Sequence, residues 1–324
     1  MSETVNTMNQ QQAANNTRPF LMMMMLMPFV LAAGLHLSAV FKFVAALPLF
    51  YAHMRFGRFA GLVASATNMA IVWAVMGRSE AAWFFVLSVV MGAAIAECVK
   101  LKIKVELMVL VSIAMMLLAS FVLLVSYAQK AHQSPLEVIT GVVGTEVDEF
   151  VKSAKKYQES SAVTNQDLEK LLADPQETKK NVLQALPSVG LIGLLVMVVM
   201  NVLLIIRLNI QNVQKRLGLR ANFFKRWKTP DHLVWPTLAV GFCLVVEIPG
   251  MSEIALNLFR VLMAIYCIQG LAILGTLMDV WRIKSFLRPL GYFTALTFLL
   301  PLVIGLGFFD LWFSFRARFG GKTV

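Results

Sequence analysis

Charge is what this chain lacks most. Only 15% of its 324 residues are Asp, Glu, Lys or Arg, against about 25% in soluble globular domains, and a water-soluble surface cannot be covered with so few. Acids are scarcer than bases: 18 Asp+Glu face 29 Lys+Arg, a formal net charge of +11. The three cysteines, Cys98, Cys243 and Cys267, are odd in number and match no zinc or redox spacing, so they read as small apolar helix residues. Alternating ten-residue strands, the signature of an outer-membrane barrel, are missing. So are His-Glu-x-x-His, Gly-x-Ser-x-Gly and Gly-x4-Gly-Lys-Ser/Thr, which removes the zinc-protease, serine-hydrolase and P-loop ATPase readings. The four histidines, His36, His53, His132 and His232, fall near expected span ends or in loops, where polar groups cost little. No catalytic site, metal or cofactor is expected, and no recognition motif accompanies the positive charge to suggest nucleic acid.

What is present is apolar: 58% of the residues, gathered in runs near or above the roughly 17–25 residues that cross a hydrocarbon core. In lipid the backbone must satisfy its own hydrogen bonds, so these runs are helices. The fold class expected is an all-α polytopic membrane bundle of about eight to nine transmembrane helices. The runs are Pro19–Leu35, Phe41–Tyr51, Phe59–Met76, Ala81–Ala96, Leu107–Ala128, Val189–Ile206, Leu233–Ile248, Ile254–Met278 and Pro289–Phe309. The second is short and contains Pro48, so it is tilted, broken or re-entrant. Pro28 in the first either kinks its helix or leaves a carbonyl for a neighbour to satisfy.

The expected organisation is a disordered cytoplasmic tail (1–18), helices one to five (19–130), a polar extracytoplasmic insert (131–186), helices six to nine with a basic cytoplasmic loop at 207–232 (187–313), and a tail (314–324). The tail 1–18 has no small-residue cleavage site after it, so the first span reads as uncleaved. From 131 to 185 nine acids face six lysines. Asp174-Pro175-Gln176-Glu177 is a strong helix start, and Val138, Val142, Val147, Phe150 and Val151 suggest an apolar stripe lying on the membrane or over the bundle mouth. Arg207 to Lys228 carries seven cations and no acid. The basic segment belongs inside and the acidic insert outside, in a bacterial inner membrane with a cytoplasmic N-terminus. Anionic lipid headgroups are the partner expected at Arg207–Lys228. Nine full spans would leave Arg316, Arg318 and Lys322 outside, so either the second or the ninth segment does not cross, or the C-terminal tail breaks the rule.

Several local patterns, in order, resemble the YybS-like bacterial membrane proteins of unassigned function. Leu47-Pro48-Leu49 followed by Met54-Arg55-Phe56-Gly57 is similar to that family's short proline-containing span and its Arg-x-Gly exit. Leu186-Pro187, then Asn201 and Arg207 before Lys215-Arg216-Leu217-Gly218, is similar too, as are Trp227-Lys228-Thr229-Pro230 and Ile268-Gln269-Gly270. The closing Gly307-Phe308-Phe309-Asp310-Leu311-Trp312-Phe313-Ser314-Phe315-Arg316 resembles Gly-x-x-Asp-x-Trp-x-Asp-Phe-Arg, departing at Ser314, where an acid is usual. The resemblance implies a distant likeness to the substrate-binding components of energy-coupling-factor transporters and to the rod-shape protein MreD.

Ionisable residues inside spans are costly unless paired or wetted. Glu97 beside Lys100, and Asp279 beside Trp281 and Arg282, read as interfacial anchors. Arg260 lies about two turns inside the eighth span and shares a helical face with Asn257 and Glu253, while Glu247 ends the preceding span. It either pairs with Glu253 or Glu247 to staple two helices or lines an outward polar cavity. Gln269 lies on the opposite face and belongs to a helix–helix contact. Two functions follow. One is a small-solute binding or transport subunit with a cavity lined by Arg260, Asn257 and Glu247. The other is a filled, non-transporting scaffold that recruits envelope or signalling partners through its basic loop.

Overall fold

The computed structural model describes residues 27–38, 40–160, 174–220, 222–246 and 250–319. The tail 1–18, the start of the first span, much of the late insert, Glu247 and the last five residues lie outside them. Every described element is helical, with no strand among the described residues.

Among the described residues, five helices are long and apolar enough to cross a membrane: Arg58–Met76, Arg78–Lys100, Val105–Ala131, Pro175–Arg207 and Ser252–Val280. They are the expected third, fourth, fifth, sixth and eighth spans. Of the first and seventh expected spans the described parts are Pro28–Leu37 and Asp231–Val246, the remainder lying outside the described residues, and the second segment is short, as expected, an 11-residue helix, Ala46–Phe56. The ninth is broken: Ser285–Phe298 and Leu300–Phe313 meet at a 97° bend, where Pro301 in the first turn of the second piece permits a fresh start.

Two compact units divide the chain, residues 1–132 with 195–221, and 133–194 with 222–324. The first holds α1 (Pro28–Leu37), α2 (Ala46–Phe56), α3 (Arg58–Met76), α4 (Arg78–Phe84), α5 (Met91–Lys100) and α6 (Val105–Ala131). A π-helical turn, Phe85–Val90, joins α4 to α5 in one span. Single glycines separate α2 from α3 and α3 from α4. Gly57 (φ 93°, ψ 177°) and Gly77 (φ 89°, ψ −175°) occupy a region essentially closed to side chains, so each helix stops and the next restarts antiparallel after one residue. Small residues and aromatics fill the core: Ala32, Ala33, Ala45, Ala52, Ala64 and Phe84 are buried. Pro28 stands in the first turn of α1, where its missing N–H breaks no described helical bond. Buried Asn68 donates from Nδ2 to Pro28 O (3.1 Å) and accepts at Oδ1 from Ala33 N–H (2.7 Å).

The second unit begins with α7 (Pro135–Ser160), opened by a capping box in which Ser134 N–H donates to Glu137 and Glu137 N–H to Ser134 Oγ. Its buried stripe is Val143, Val147 and Val151, packed with Ile139 and Leu183. The expected stripe is therefore partly mis-phased: Val142 and Phe150 are exposed, because an i, i+4 ladder through 143, 147 and 151 meets the neighbouring helix. That neighbour is α8 (Pro175–Arg207), capped by Asp174 Oδ1, which accepts from Gln176 and Glu177 N–H. At 33 residues it is about 50 Å long. The expected start of the sixth span at Val189 is thus preceded by several further turns of the same helix. The other elements are α9 (Val213–Leu217, in the first unit), α10 (Phe223–Arg226), α11 (Val234–Val246), α12 (Ser252–Val280), α13 (Arg288–Phe298), α14 (Leu300–Phe313) and α15 (Phe315–Phe319).

Candidate functional site

The closest helix pair is α12 with α14. Residues 266 and 270 on α12 face 303, 307 and 310 on α14, both at the i, i+3/i+4 spacing of one helical face. A Cβ added to Gly270 would stand 1.9 Å from Val303 O, and one added to Gly307 would stand 1.9 Å from Tyr266 O. Backbone therefore rests on backbone, the packing that small residues permit between membrane helices.

Beside that crossing, polar side chains meet in a closed circuit. Gln269, 2% exposed, donates from Nε2 to Asp310 Oδ2 (3.1 Å) and accepts at Oε1 from Thr229 N–H (2.9 Å). Ser314, left-handed at φ 46°, ends α14, and the turn brings Arg316 of α15 back. Its Nη1 donates to Trp227 O (2.6 Å), and its Nε lies 3.7 Å from Asp310 Oδ2, close enough for charge pairing but too far for a hydrogen bond. Burial pushes the Arg316 guanidinium below its ordinary pKa and the Asp310 carboxylate opposes this; the group stays charged. Trp227 and Thr229 share one loop, so the chain Thr229, Gln269, Asp310, Arg316, Trp227 returns to its start. Four of its buried atoms have no hydrogen-bond partner: Asp310 Oδ1, Thr229 Oγ1, and Arg316 Nε and Nη2. A half-open cleft with room for about one water, about 10 Å³, borders the circuit at Thr229 and Gln269 and is lined also by Lys228, Asp231 and Tyr266; Asp310 and Arg316 do not line it. Tyr266 stands edge-on to Phe308 (5.2 Å), which also touches Trp312 (5.3 Å).

A family model described as predicted membrane protein (DUF2232) matches residues 20–311. The chain belongs to that family. No curated protein and no solved structure matches it. The match covers the circuit through Asp310, with Arg316 just beyond it, and all three late patterns singled out in the sequence converge there: Trp227–Pro230, Ile268–Gly270 and Gly307–Arg316. Of the earlier family-pattern residues, Gly57 makes the α2–α3 turn, Pro48 is buried in the first turn of α2, and Arg55 is exposed at its end.

The residues around Arg260 are arranged otherwise than as a cluster. Pro187 has no N–H to give, and Asn257 is inserted into the α8 backbone ladder one step later. Its Oδ1 accepts from Ser188 N–H (3.2 Å) and its Nδ2 donates to Gln184 O (2.9 Å). Glu253 accepts from Gln184 Nε2 (2.7 Å). Arg260 is half-buried and has no partner among the described residues, and Glu247 lies outside them.

Elsewhere carboxylates sit at helix ends, well supplied with cations. Glu97 takes Arg58 (Nε 2.9 Å), His53 (2.6 Å) and Lys100 (3.2 Å). Glu80 takes Lys42 (2.7 Å) and lies 3.3 Å from His36 Nε2. Asp279 takes Lys225 and Arg288 (2.7 Å). The anchor reading of Glu97 and Asp279 is extended by partners distant in sequence. His36 and His53 depart from expectation: both are buried, each against a carboxylate 44 positions later. No group of three or more His, Cys, Asp or Glu placed to hold a metal occurs among the described residues.

Proposed function

We propose that this family member is a bacterial inner-membrane subunit that binds or transports a small polar solute, with the solute site at the Gln269–Asp310–Arg316 circuit. One observation carries the reading: Asp310, 4% exposed in an otherwise apolar helix, has one oxygen engaged and the other unpartnered. An ionisable group within a span is a functional candidate by default, and discontinuous helices such as α13 and α14 are where transporters place their sites. The distant likeness to energy-coupling-factor components that the sequence resemblance implies is in keeping with this reading. Arg260 lies nine residues from Gln269 and on the opposite helical face, so the two do not line one pocket, and the circuit replaces Arg260 as the preferred site. The basic segment faces the cytoplasm, against anionic headgroups, and the insert lies outside.

The scaffold reading keeps one observation in its favour. The cleft, at about 10 Å³, holds about one water and is far smaller than the roughly 300–1,000 Å³ of drug-sized ligand sites, which suits a filled bundle. Native mass spectrometry of the purified protein separates the two. The solute reading expects a co-purifying small molecule that Asp310→Asn loses while remaining folded. A wild type that carries no small molecule, yet cross-links stoichiometrically to another membrane protein in cells, would favour the scaffold.

A further inference from the structure

The cations of the Arg207–Lys228 segment do not stand alone. The turn Ile210–Asn212 packs against α2, and α9 packs against α5. The Arg58–Glu97 pair in turn fixes the start of α3 beside the end of α5. One end of the first unit thus gathers the finish of α2, α5 and α8 and the start of α3 and α6. Exposed Arg55, Lys102 and Lys104 come to it from the early chain. Exposed Arg207, Lys215, Arg216 and Arg220 come to it from the later segment. The acids placed there are Glu97, already engaged by Arg58, Lys100 and His53, and Glu106 in the first turn of α6.

Directly beyond this rim the helix sides are apolar and exposed, as at Phe59 and Leu62 on α3 and Leu107 and Leu110 on α6. Such surface lies in the hydrocarbon layer of a spanning protein, which sets the cations at the depth of the lipid phosphates. We infer that the rim is one composite site for the phosphodiester headgroups of anionic phospholipids, held jointly by the 102–104 turn and the 215–220 segment. The inference rests on the proposal that the basic segment meets anionic lipid and extends it: the turn after α5 is an equal part of the site.

The test is lipid retention by the full-length protein, measured by native mass spectrometry in detergent with phosphatidylglycerol and phosphatidylcholine of matched chains. Wild type should retain phosphatidylglycerol preferentially. Each cation removed should lower that preference by about fivefold, the equivalent of about 1 kcal/mol at low salt. Lys102→Gln/Lys104→Gln and Lys215→Gln/Arg216→Gln should therefore lose comparable amounts; these side chains are exposed, and an unchanged melting temperature verifies the fold. A loss confined to the 215/216 pair would overturn the composite site and leave the basic segment's own lipid attraction standing. No preference for phosphatidylglycerol in wild type would overturn both.

Discussion

The two units use asparagines between helices alike, while Asp310 of the second differs from the well-paired carboxylates of both. In the first, Asn68 bonds the backbone of α1 at Pro28 O and Ala33 N–H; in the second, Asn257 is inserted between Gln184 O and Ser188 N–H, one step after Pro187. Each amide supplies one donor and one acceptor to a neighbouring helix's backbone, and beside Pro187 it lets the helix run on past a proline. The carboxylates diverge. Glu80 and Glu97 sit at helix ends with two and three cationic or imidazole partners, and their ion pairs are partly wet. Asp310, also three residues from the end of its helix, is 4% exposed, with one guanidinium at 3.7 Å and one oxygen unpartnered. Glu80, Glu97 and Asp279 are each met by two or three partners, whereas the circuit gathers four buried atoms without a hydrogen-bond partner; those of the first unit, His36 Nδ1, Ser88 Oγ and Asn201 Oδ1, lie on separate helices. Unused capacity is costly in a low-dielectric interior, which is the physical reason the proposed site is placed at the circuit.

That contrast can be broken by substitution, and the largest effect is expected at Asp310. Asp310→Leu strands the Arg316 charge and should destabilise by about 3–5 kcal/mol, with much of the loss recovered in Asp310→Leu/Arg316→Leu; thermal unfolding of the purified protein reads both. Gly270→Ala forces α12 away from α14 and should cost about 3 kcal/mol, whereas Gly305→Ala on α14, with no atom within 4 Å of an added Cβ, should be tolerated in the same assay. Asn68→Leu and Asn257→Leu should each cost about 1–3 kcal/mol by leaving backbone groups unpaired; equal losses would confirm that the two amides do one job. Glu97→Gln should cost only about 1 kcal/mol, because its pairs lie at a partly solvated end, and a loss as large as at Asp310 would erase the proposed difference. Smallest is Arg260→Leu, which should shift stability by under about 0.5 kcal/mol, measured by the same unfolding.

Much of the framework was legible in the sequence because it depends on local properties. Five spans follow from run length alone, and the start of α8 follows from Asp174 and Pro175. What was not legible depends on partners. Pro187 marked the head of a span, but nothing in the chain says that Asn257, seventy positions later, lets the helix run through it. For the same reason Asn257 looked like a companion of Arg260, since helical spacing reports a shared face and not which neighbour occupies it. The stripe on α7 was mis-phased because valines at 142 and 143 fit two adjacent faces, and only Leu183 chooses between them. His36 and His53 lie near helix ends, as expected, yet are buried, because carboxylates arrive from α4 and α5. The circuit was visible only as separate short patterns; its unity needs the α12–α14 crossing.

The Gly270–Gly307 crossing also bears on how this protein can change over generations. Neither position admits even a methyl group, and replacing one alone pushes two backbones apart and pulls Gln269 from Asp310. The scaffold of the site is therefore frozen against single substitutions. The loop residues Lys228 and Thr229 border the cleft without supporting that crossing, so under the solute proposal relatives with a different solute should differ there first, while both glycines stay as they are.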